Sequence, residues 1–593
     1  MNLQQSPNIN YLWSSLIIEE LVRSGVKYFC IAPGSRSSPL TVAVARHPKA
    51  RHFIHYDERG LAFHALGYAC AHREPAALIC TSGTAGANFY PAIIEASKKK
   101  VPLVVLTADR PPELRATGAV QTIDQVGLFG KYVKFQSDLP CPDIKIKPEF
   151  VLTTVDQAVY HAVRGPAGVV HLNCMFRDPL APVATGENFK AYTQGISTWT
   201  KNEEPYTTYV RAATVNLDAK AIARRIDGIR NGLIVVGKIG GEAEQNAVVL
   251  LARRLGWPVF ADASSGLRLG KADKNIISYF DQILASPKFI RKLNFDGILH
   301  LGGRMTSKRF YDFAAALPLK DYVMVLNHPL RNDPDHRVSL RVESSVGTFC
   351  EAVGKDIKQR KPSAALTILV DANRAADAVM EEYFAVNGAL SGPHAARLIS
   401  QQIPQGAGLF LGNSLPVRDM DFFGDFKGCP VFVHGNRGAS GIDGNVASAA
   451  GLSNGLDGPV TLFIGDLALL HDLNSLSMLR DLKHPVVTVV VNNDGGAIFS
   501  FLPIADSKDV FEKFFETPHD LSFHEAASMF GLSYARPSTA WEFVRVYQAA
   551  LKSGKSAIIE ISTSRAGHVG TYKTLQSIIA KAIDPLVGQY DFA

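Results

Sequence analysis

No Cys-x-x-Cys pair occurs in the 593-residue sequence, and its seven cysteines (Cys30, Cys70, Cys80, Cys141, Cys174, Cys350 and Cys429) are odd in number and scattered. Neither a disulfide framework nor a structural zinc site is indicated. No apolar run approaches membrane-spanning length. After Met1 and Asn2 there is no basic segment leading into an apolar stretch and a cleavage site, so a cytoplasmic protein without a membrane span is expected. Short-period repeats and low-complexity tracts are also missing. The net charge is +7, yet no long basic run accompanies it. The densest cluster, Lys98-Lys99-Lys100, falls where a helix should end, a position that favours cations. A nucleic-acid partner is therefore not expected, while small acidic substrates suit a modest positive balance.

What is present is apolar material for several cores: 47% of residues are hydrophobic and 20% charged, on a chain too long for a single core. Short runs rich in Val, Ile and Leu alternate with amphipathic stretches. In the first third they are Tyr28–Ala32, Phe53–Tyr56, Ala77–Cys80, Val101–Thr107 and Val169–Leu172. Such runs fit strands buried on both faces, and the helical pattern Leu61–Ala71 follows one of them. The middle repeats this order with Leu233–Val236, Val259–Ala261, Gly297–Leu301 and Tyr322–Leu326. The last third repeats it with Gly408–Leu411, Val431–His434, Val460–Ile464, Val486–Val491 and Ala557–Ile561. Strand, turn and helix in repetition predict an α/β fold of three Rossmann-like parallel-sheet domains in series. Aperiodic stretches at Thr185–Thr208 and Lys358–Ser363 read as linkers, which sets the domains at 1–190, 208–357 and 364–593.

The segment richest in chemistry runs from the strand at Val460 through Gly465-Asp466-Leu467 and a helix to the strand ending at Val491 and Asn492-Asn493-Asp494-Gly495-Gly496. In a parallel sheet an acid and an amide at two strand ends open onto one ligand-binding edge. The Asp466 carboxylate, the Asn493 amide oxygen and a carbonyl near Gly495 are three hard oxygens of the kind magnesium shares with phosphates. Near the other end of the chain, Glu58 in His55-Tyr56-Asp57-Glu58-Arg59-Gly60 follows a strand and opens a helix.

The Gly465–Asn493 segment resembles the diphosphate and metal motif of thiamine diphosphate enzymes, which begins Gly-Asp-Gly and ends Asn-Asn; Leu467 replaces the last glycine. The resemblance implies thiamine diphosphate and Mg2+ (Mn2+ in its place) as cofactors, and makes Glu58 the glutamate that hydrogen-bonds the aminopyrimidine ring. It also implies that the first and third domains bind the pyrimidine and diphosphate ends. Glu58 of one chain would then meet Asp466 of another at the subunit interface of a homo-oligomer, dimer or tetramer.

Longer stretches resemble one branch of that family, the menaquinone-pathway synthases. They are Ala32-Pro33-Gly34-Ser35-Arg36-Ser37-Ser38-Pro39, Thr107-Ala108-Asp109-Arg110-Pro111-Pro112, Gly412-Asn413-Ser414-Leu415-Pro416-Val417-Arg418 and Asn436-Arg437-Gly438-Ala439-Ser440-Gly441-Ile442-Asp443-Gly444. The branch implies a transferase that decarboxylates 2-oxoglutarate and adds the succinyl-semialdehyde carbanion to isochorismate in a 1,4-addition. By the same resemblance Ser35, Arg36, Arg110, Gln121, Lys308, Ser414, Arg418 and Arg437 line the substrate pocket, with Arg36, Gln121, Arg418 and Arg437 joining Glu58 in catalysis. Gly465, Leu467, Ile498 and Phe499 flank the cofactor, and Ile442 is the apolar wedge that keeps it bent. Both substrates are dicarboxylates, and arginine's planar fork pairs carboxylates bidentately.

Three other readings compete. An acetolactate-synthase-like enzyme or a simple 2-oxo acid decarboxylase keeps the cofactor, but simple decarboxylases of this superfamily often carry adjacent histidines and this chain has no His-His pair. A non-catalytic relative that keeps the fold and binds a phosphorylated ligand is a second reading, against which the intact Glu58, Asp466 and Asn493 speak. The Thr81–Asn88 loop can cradle phosphate at a helix start but lacks the P-loop lysine, and it reads as a tight turn that lets backbone approach the cofactor. Gly237-Lys238-Ile239-Gly240-Gly241 departs from the dinucleotide spacing, so an oxidoreductase working through the middle domain is the weakest of the three.

Overall fold

The computed structural model describes residues 3–210, 217–271, 273–387 and 389–589. Residues 211–216, at the start of the middle domain as bounded above, lie outside the described residues, as do 590–593 at the end of the third. The predicted architecture is present as three six-stranded sheets, parallel throughout. In the first, the spatial order is Arg51–Ile54, Tyr28–Ile31, Ala76–Cys80, Leu103–Asp109, Val169–Met175 and Val133–Leu139. The third sheet repeats that winding with Phe432–His434, Gly408–Leu411, Val460–Gly465, Val486–Asn492, Ala557–Ser562 and Ser533–Ala535. The middle sheet is wound differently: Ile276–Ile277, Val259–Ala261, Gly232–Val236, Gly297–Leu301, Asp321–Leu326 and Leu340–Glu343. This is the dinucleotide-fold order, with its reversal between Gly232–Val236 and Gly297–Leu301. At that reversal, however, a Cβ on Gly237 would stand 1.9 Å from the Gly303 carbonyl oxygen, so the two loops already fill the crevice against each other.

The strands without a preceding apolar run are Val133–Leu139, Ile276–Ile277, Leu340–Glu343 and Ser533–Ala535, and each is a sheet edge. An edge strand covers one flank only. Val133–Leu139 accordingly alternates half-buried with exposed residues, a pattern that a search for continuous apolar runs misses. Arg51–Ile54 is also an edge and is mostly exposed, which corrects the expectation of a strand buried on both faces. The Lys98 cluster does end a helix, Tyr90–Lys99, with Lys100 as its left-handed cap.

Two compact units arise: Met1–Ala212 with Asn436–Gly458 and His471–His484, and Ala213–Gly435 with Pro459–Leu470 and Pro485–Ala593. In the first, helix Asn445–Leu456 lies against helix Glu58–His72. A Cβ on Gly67 would meet the Ser448 carbonyl oxygen at 2.1 Å, and one on Gly451 the His64 carbonyl oxygen at 2.0 Å, so glycines let the two backbones touch. The linker stretch Thr185–Thr208 packs onto the first core. Phe189, Ile196 and Trp199 are buried in the first core, and Trp199 Nε1 donates to Glu20 at 2.6 Å. In the second unit, the middle sheet is covered on one side by a core around Val248, Leu251 and Phe349. On the other side a larger core receives helix Ala364–Val386.

Candidate active site

The first sheet gathers the predicted residues at the carboxyl ends of its strands, where ligands of such folds bind. Ser35 and Arg36 follow Tyr28–Ile31, and Arg110 follows Leu103–Asp109. Arg36 is almost fully buried. Its Nη1 donates to the Phe176 carbonyl at 2.8 Å, while its Nε, like that of Arg110, is buried without a hydrogen-bond partner. Burial, and then the neighbouring Arg110 cation, lowers the Arg36 pKa from its ordinary value. Two guanidiniums held together with N–H groups to spare form a receptor for an anion of more than one charge. Ser35 is exposed beside them. Gln121, at φ +58, is exposed and donates to the Ser82 carbonyl at 3.2 Å. The loop Thr81–Asn88 turns at Gly83 (φ +85) into a short helix, and the Gly83 N–H is already taken by the Gln125 side-chain oxygen at 2.8 Å.

Glu58 is the first residue of helix Glu58–His72, which Asp57 caps by accepting from the N–H of Arg59 and Gly60. Glu58 itself is half-buried, near the end of strand Ala76–Cys80, where its charge adds to the burial that pushes the Cys80 thiol up. About one and a half turns along this helix, Phe63 packs on Gly444: a Cβ there would stand 2.0 Å from the ring. The loop bearing Arg437 and Ile442 thus reaches the Glu58 helix within one unit. Ile442, the expected apolar wedge, is 38% exposed.

In the second unit Gly465 closes its strand and Asp466 opens the next helix, with Leu467 N–H donating to Asp466 Oδ1 at 2.7 Å. Asp466 Oδ2 accepts from the N–H of Asn493 at 3.0 Å and of Gly495 at 2.9 Å, which joins the two strand ends as the sequence spacing requires. Asn493 Oδ1 is buried without a partner, an oxygen left over for a cation. Ile498 and Phe499 are half-buried in the turn Ala497–Phe501 just beyond. Ser414, at φ +73, directly precedes helix Leu415–Phe423, and Arg418 on its first turn donates back to the Ser414 carbonyl. Buried Asp281, which feels the Arg418 charge, accepts from Ser307 Oγ at 2.5 Å. That contact fixes the start of helix Lys308–Ala316, where Lys308 is exposed.

Several participants carried no sequence signal, because long-range contacts alone define them. Asn173 donates to Asp109 at 2.9 Å and to Asp138 at 2.8 Å, and accepts from Thr107 and Gln125, fixing the strand end that carries Arg110. His519 Nε2 stands 3.4 Å from Asp466 Oδ2. Tyr572 and His568 both point at buried Asp419, next to Arg418, at 2.6 and 3.2 Å.

Family models agree with this layout. One described as "Thiamine pyrophosphate enzyme, N-terminal TPP binding domain" matches residues 13–128, its C-terminal TPP-binding counterpart matches 426–561, and "Middle domain of thiamine pyrophosphate" matches 190–411. Among solved structures, a thiamine diphosphate-dependent 4-hydroxybenzoylformate decarboxylase from Rhodococcus jostii RHA1 superposes with TM-score 0.69 at 17% identity, covering 93% of this chain and 99% of that one, a likeness of fold. Three sheets with two thiamine-pyrophosphate-binding domains define a thiamine pyrophosphate enzyme. The sequence is also 46% identical to a 2-succinyl-5-enolpyruvyl-6-hydroxy-3-cyclohexene-1-carboxylate synthase of Rubrobacter xylanophilus, over 96% of this chain and 98% of that protein. It is 44% identical to the synthase of the same name from Salinibacter ruber, over 98% of each. The chain belongs to this synthase family. Among the described residues, no helix is long and apolar enough to cross a membrane.

Proposed function

We propose that the protein decarboxylates 2-oxoglutarate and adds the four-carbon remainder to isochorismate by 1,4-addition, with thiamine diphosphate and Mg2+, or Mn2+, as cofactors. The observation that carries this reading is the Arg36–Arg110 pair, one guanidinium buried and the other half-buried, each with a buried Nε–H left unpaired, on the sheet edge that also leads into the Glu58 helix. Both substrates are dicarboxylates, and each charge-assisted contact contributes roughly 1.5–3 kcal/mol. When bound, the cofactor supplies the electron sink on which a 2-oxo acid loses carbon dioxide.

The chain's residues do the rest. Glu58 holds a proton against the aminopyrimidine ring and returns it. Ser35, Arg36, Arg110, Gln121, Lys308, Ser414, Arg418 and Arg437 hold substrate carboxylates and hydroxyls. Ile442 would support the cofactor, Gly465 and Leu467 would approach its diphosphate, and Ile498 and Phe499 would exclude water from the reacting carbon. Asp466, the unpartnered Asn493 Oδ1 and the Gly495 backbone fit a hard cation that completes its shell with phosphate oxygens. Residues 1–190 serve as the pyrimidine domain, 208–357 as the central domain, and 364–593 as the diphosphate and metal domain. A cytoplasmic homo-oligomer, dimer or tetramer, with the site at the subunit interface fits exposed Ile54 and Tyr56 beside Glu58.

Turnover decides the matter. With both cofactors, 2-oxoglutarate and isochorismate should yield carbon dioxide and the adduct in equal amounts. Equal consumption of pyruvate without any acceptor would overturn the assignment.

A further inference from the structure

One buried carboxylate in the first unit is left without a role by this reading. Glu95, 2% exposed on helix Tyr90–Lys99, accepts from the backbone N–H of Gly438 at 2.7 Å and of Ala439 at 2.6 Å, one on each carboxylate oxygen. These two peptide groups lie directly after Arg437 and three residues before Ile442. The fit is close from both sides. A Cβ on Gly438 would stand 2.8 Å from the Glu95 carbonyl oxygen and 3.0 Å from its Oε1, so the loop approaches the helix only because residue 438 has no side chain. The helix is itself anchored. It follows directly on Thr84–Asn88, the short helix that begins at the turn touching Gln121, and it packs against the Glu58 helix. At its far end the same loop runs into helix Asn445–Leu456, where buried Asp472 accepts from Val446 and Ala447 N–H at 2.8 and 3.1 Å. A span of irregular backbone is thereby pinned at both ends by carboxylates from outside it.

We infer that Glu95 is a positioning residue, which sets the height of the Ile442 wedge and the reach of Arg437 by gripping the two peptide N–H groups between them. The inference rests on the proposed roles of Arg437 and Ile442. An amide in place of the carboxylate keeps the shape but offers one acceptor where two are needed. Its NH2 faces an N–H donor and pushes the loop away.

The test uses the full-length protein with thiamine diphosphate and Mg2+. Cofactor affinity is read from intrinsic fluorescence quenching, steady-state constants for 2-oxoglutarate and isochorismate are measured, and thermal midpoints are recorded for wild type, Glu95→Gln, Glu95→Ala and Gly438→Ala. Glu95→Gln is expected to weaken cofactor binding about 5–20-fold and to raise KM for at least one dicarboxylate, with Glu95→Ala worse and the amide variant partly rescued relative to it. Gly438→Ala, which disturbs the same contact from the loop side, should reproduce the pattern. A lower thermal midpoint with unchanged cofactor affinity and unchanged KM in the variants would show a structural clamp only and overturn the inference. Should Glu95→Gln not fold, Gly438→Ala alone decides by the same readouts. Failure of the wild type itself to turn over these substrates strikes the proposed function, whereas the cofactor-affinity comparison still tests Glu95.

Discussion

At the scale of single residues, the groups of the site are set apart by the partners they lack as well as by those they touch. Glu58 sits at the start of a helix that Asp57 already caps, so its carboxyl is not spent on the helix terminus. Glu58→Gln should therefore fold normally and bind magnesium and cofactor, while turnover falls at least about a hundredfold, the range of an acid–base group; stopped-flow carbon dioxide release measures it. Arg36 carries an unsatisfied buried Nε. Arg36→Lys keeps the charge but loses the planar fork, and should raise KM for a dicarboxylate by about 10–100-fold, equivalent to roughly 1.5–3 kcal/mol. An unchanged KM would remove Arg36 from the substrate site. Asn493→Leu removes the unpartnered oxygen, and isothermal titration should show weaker Mg2+ binding with the fold intact.

At the scale of elements, Asp472, which holds the far end of the Ile442 loop, has a titration of its own. Burial raises the Asp472 carboxyl to about 6 from an ordinary 3.8, against the lowering pull of Ser475, two backbone N–H groups and the Arg59 charge. A folded-state pKa raised in this way contributes stability that is fully present below about 3.8 and is lost as pH rises through about 6. At about 1.36 kcal/mol per pH unit the swing is roughly 3 kcal/mol. Relative to Asp472→Asn, the wild type should thus lose thermal stability between pH 4 and 6 and stay flat above, as calorimetry of the two proteins side by side would show.

Elements also mark what the sequence could convey. Central strands such as Leu103–Asp109 and Val486–Asn492 are covered on both faces and announce themselves as continuous apolar runs. Edge strands such as Leu340–Glu343 do not, because water replaces one neighbour. Glu58, Asp466 and Asn493 were legible as polar residues at strand ends. Gln125, Asn173, Glu95 and His519 were not, since each acquires its place only when distant segments pack. The packing of Phe189, Ile196 and Trp199 on the first core is hidden for a similar reason: three scattered apolar residues carry it, with no period to reveal them.

At the scale of the whole molecule, a cofactor that binds the folded state alone must stabilise it. Thiamine diphosphate with Mg2+ at a hundred times the dissociation constant should add about 2.7 kcal/mol and raise the thermal midpoint, and chelation should reverse the gain. A tight assembly of copies should appear in light scattering as a mass of two or four chains. Its loss on replacing exposed Ile54 and Tyr56 with charged residues would link that assembly to the Glu58 edge. The most direct measurement is a crystal structure of the protein with thiamine diphosphate and Mn2+, phased for the metal's anomalous signal. The account predicts the metal peak between Asp466, Asn493 and Gly495, with the pyrimidine ring of the same cofactor molecule resting on Ile442 and hydrogen-bonded to Glu58. A metal peak elsewhere, or a cofactor whose ring lies out of reach of every Glu58 in the assembly, would contradict it.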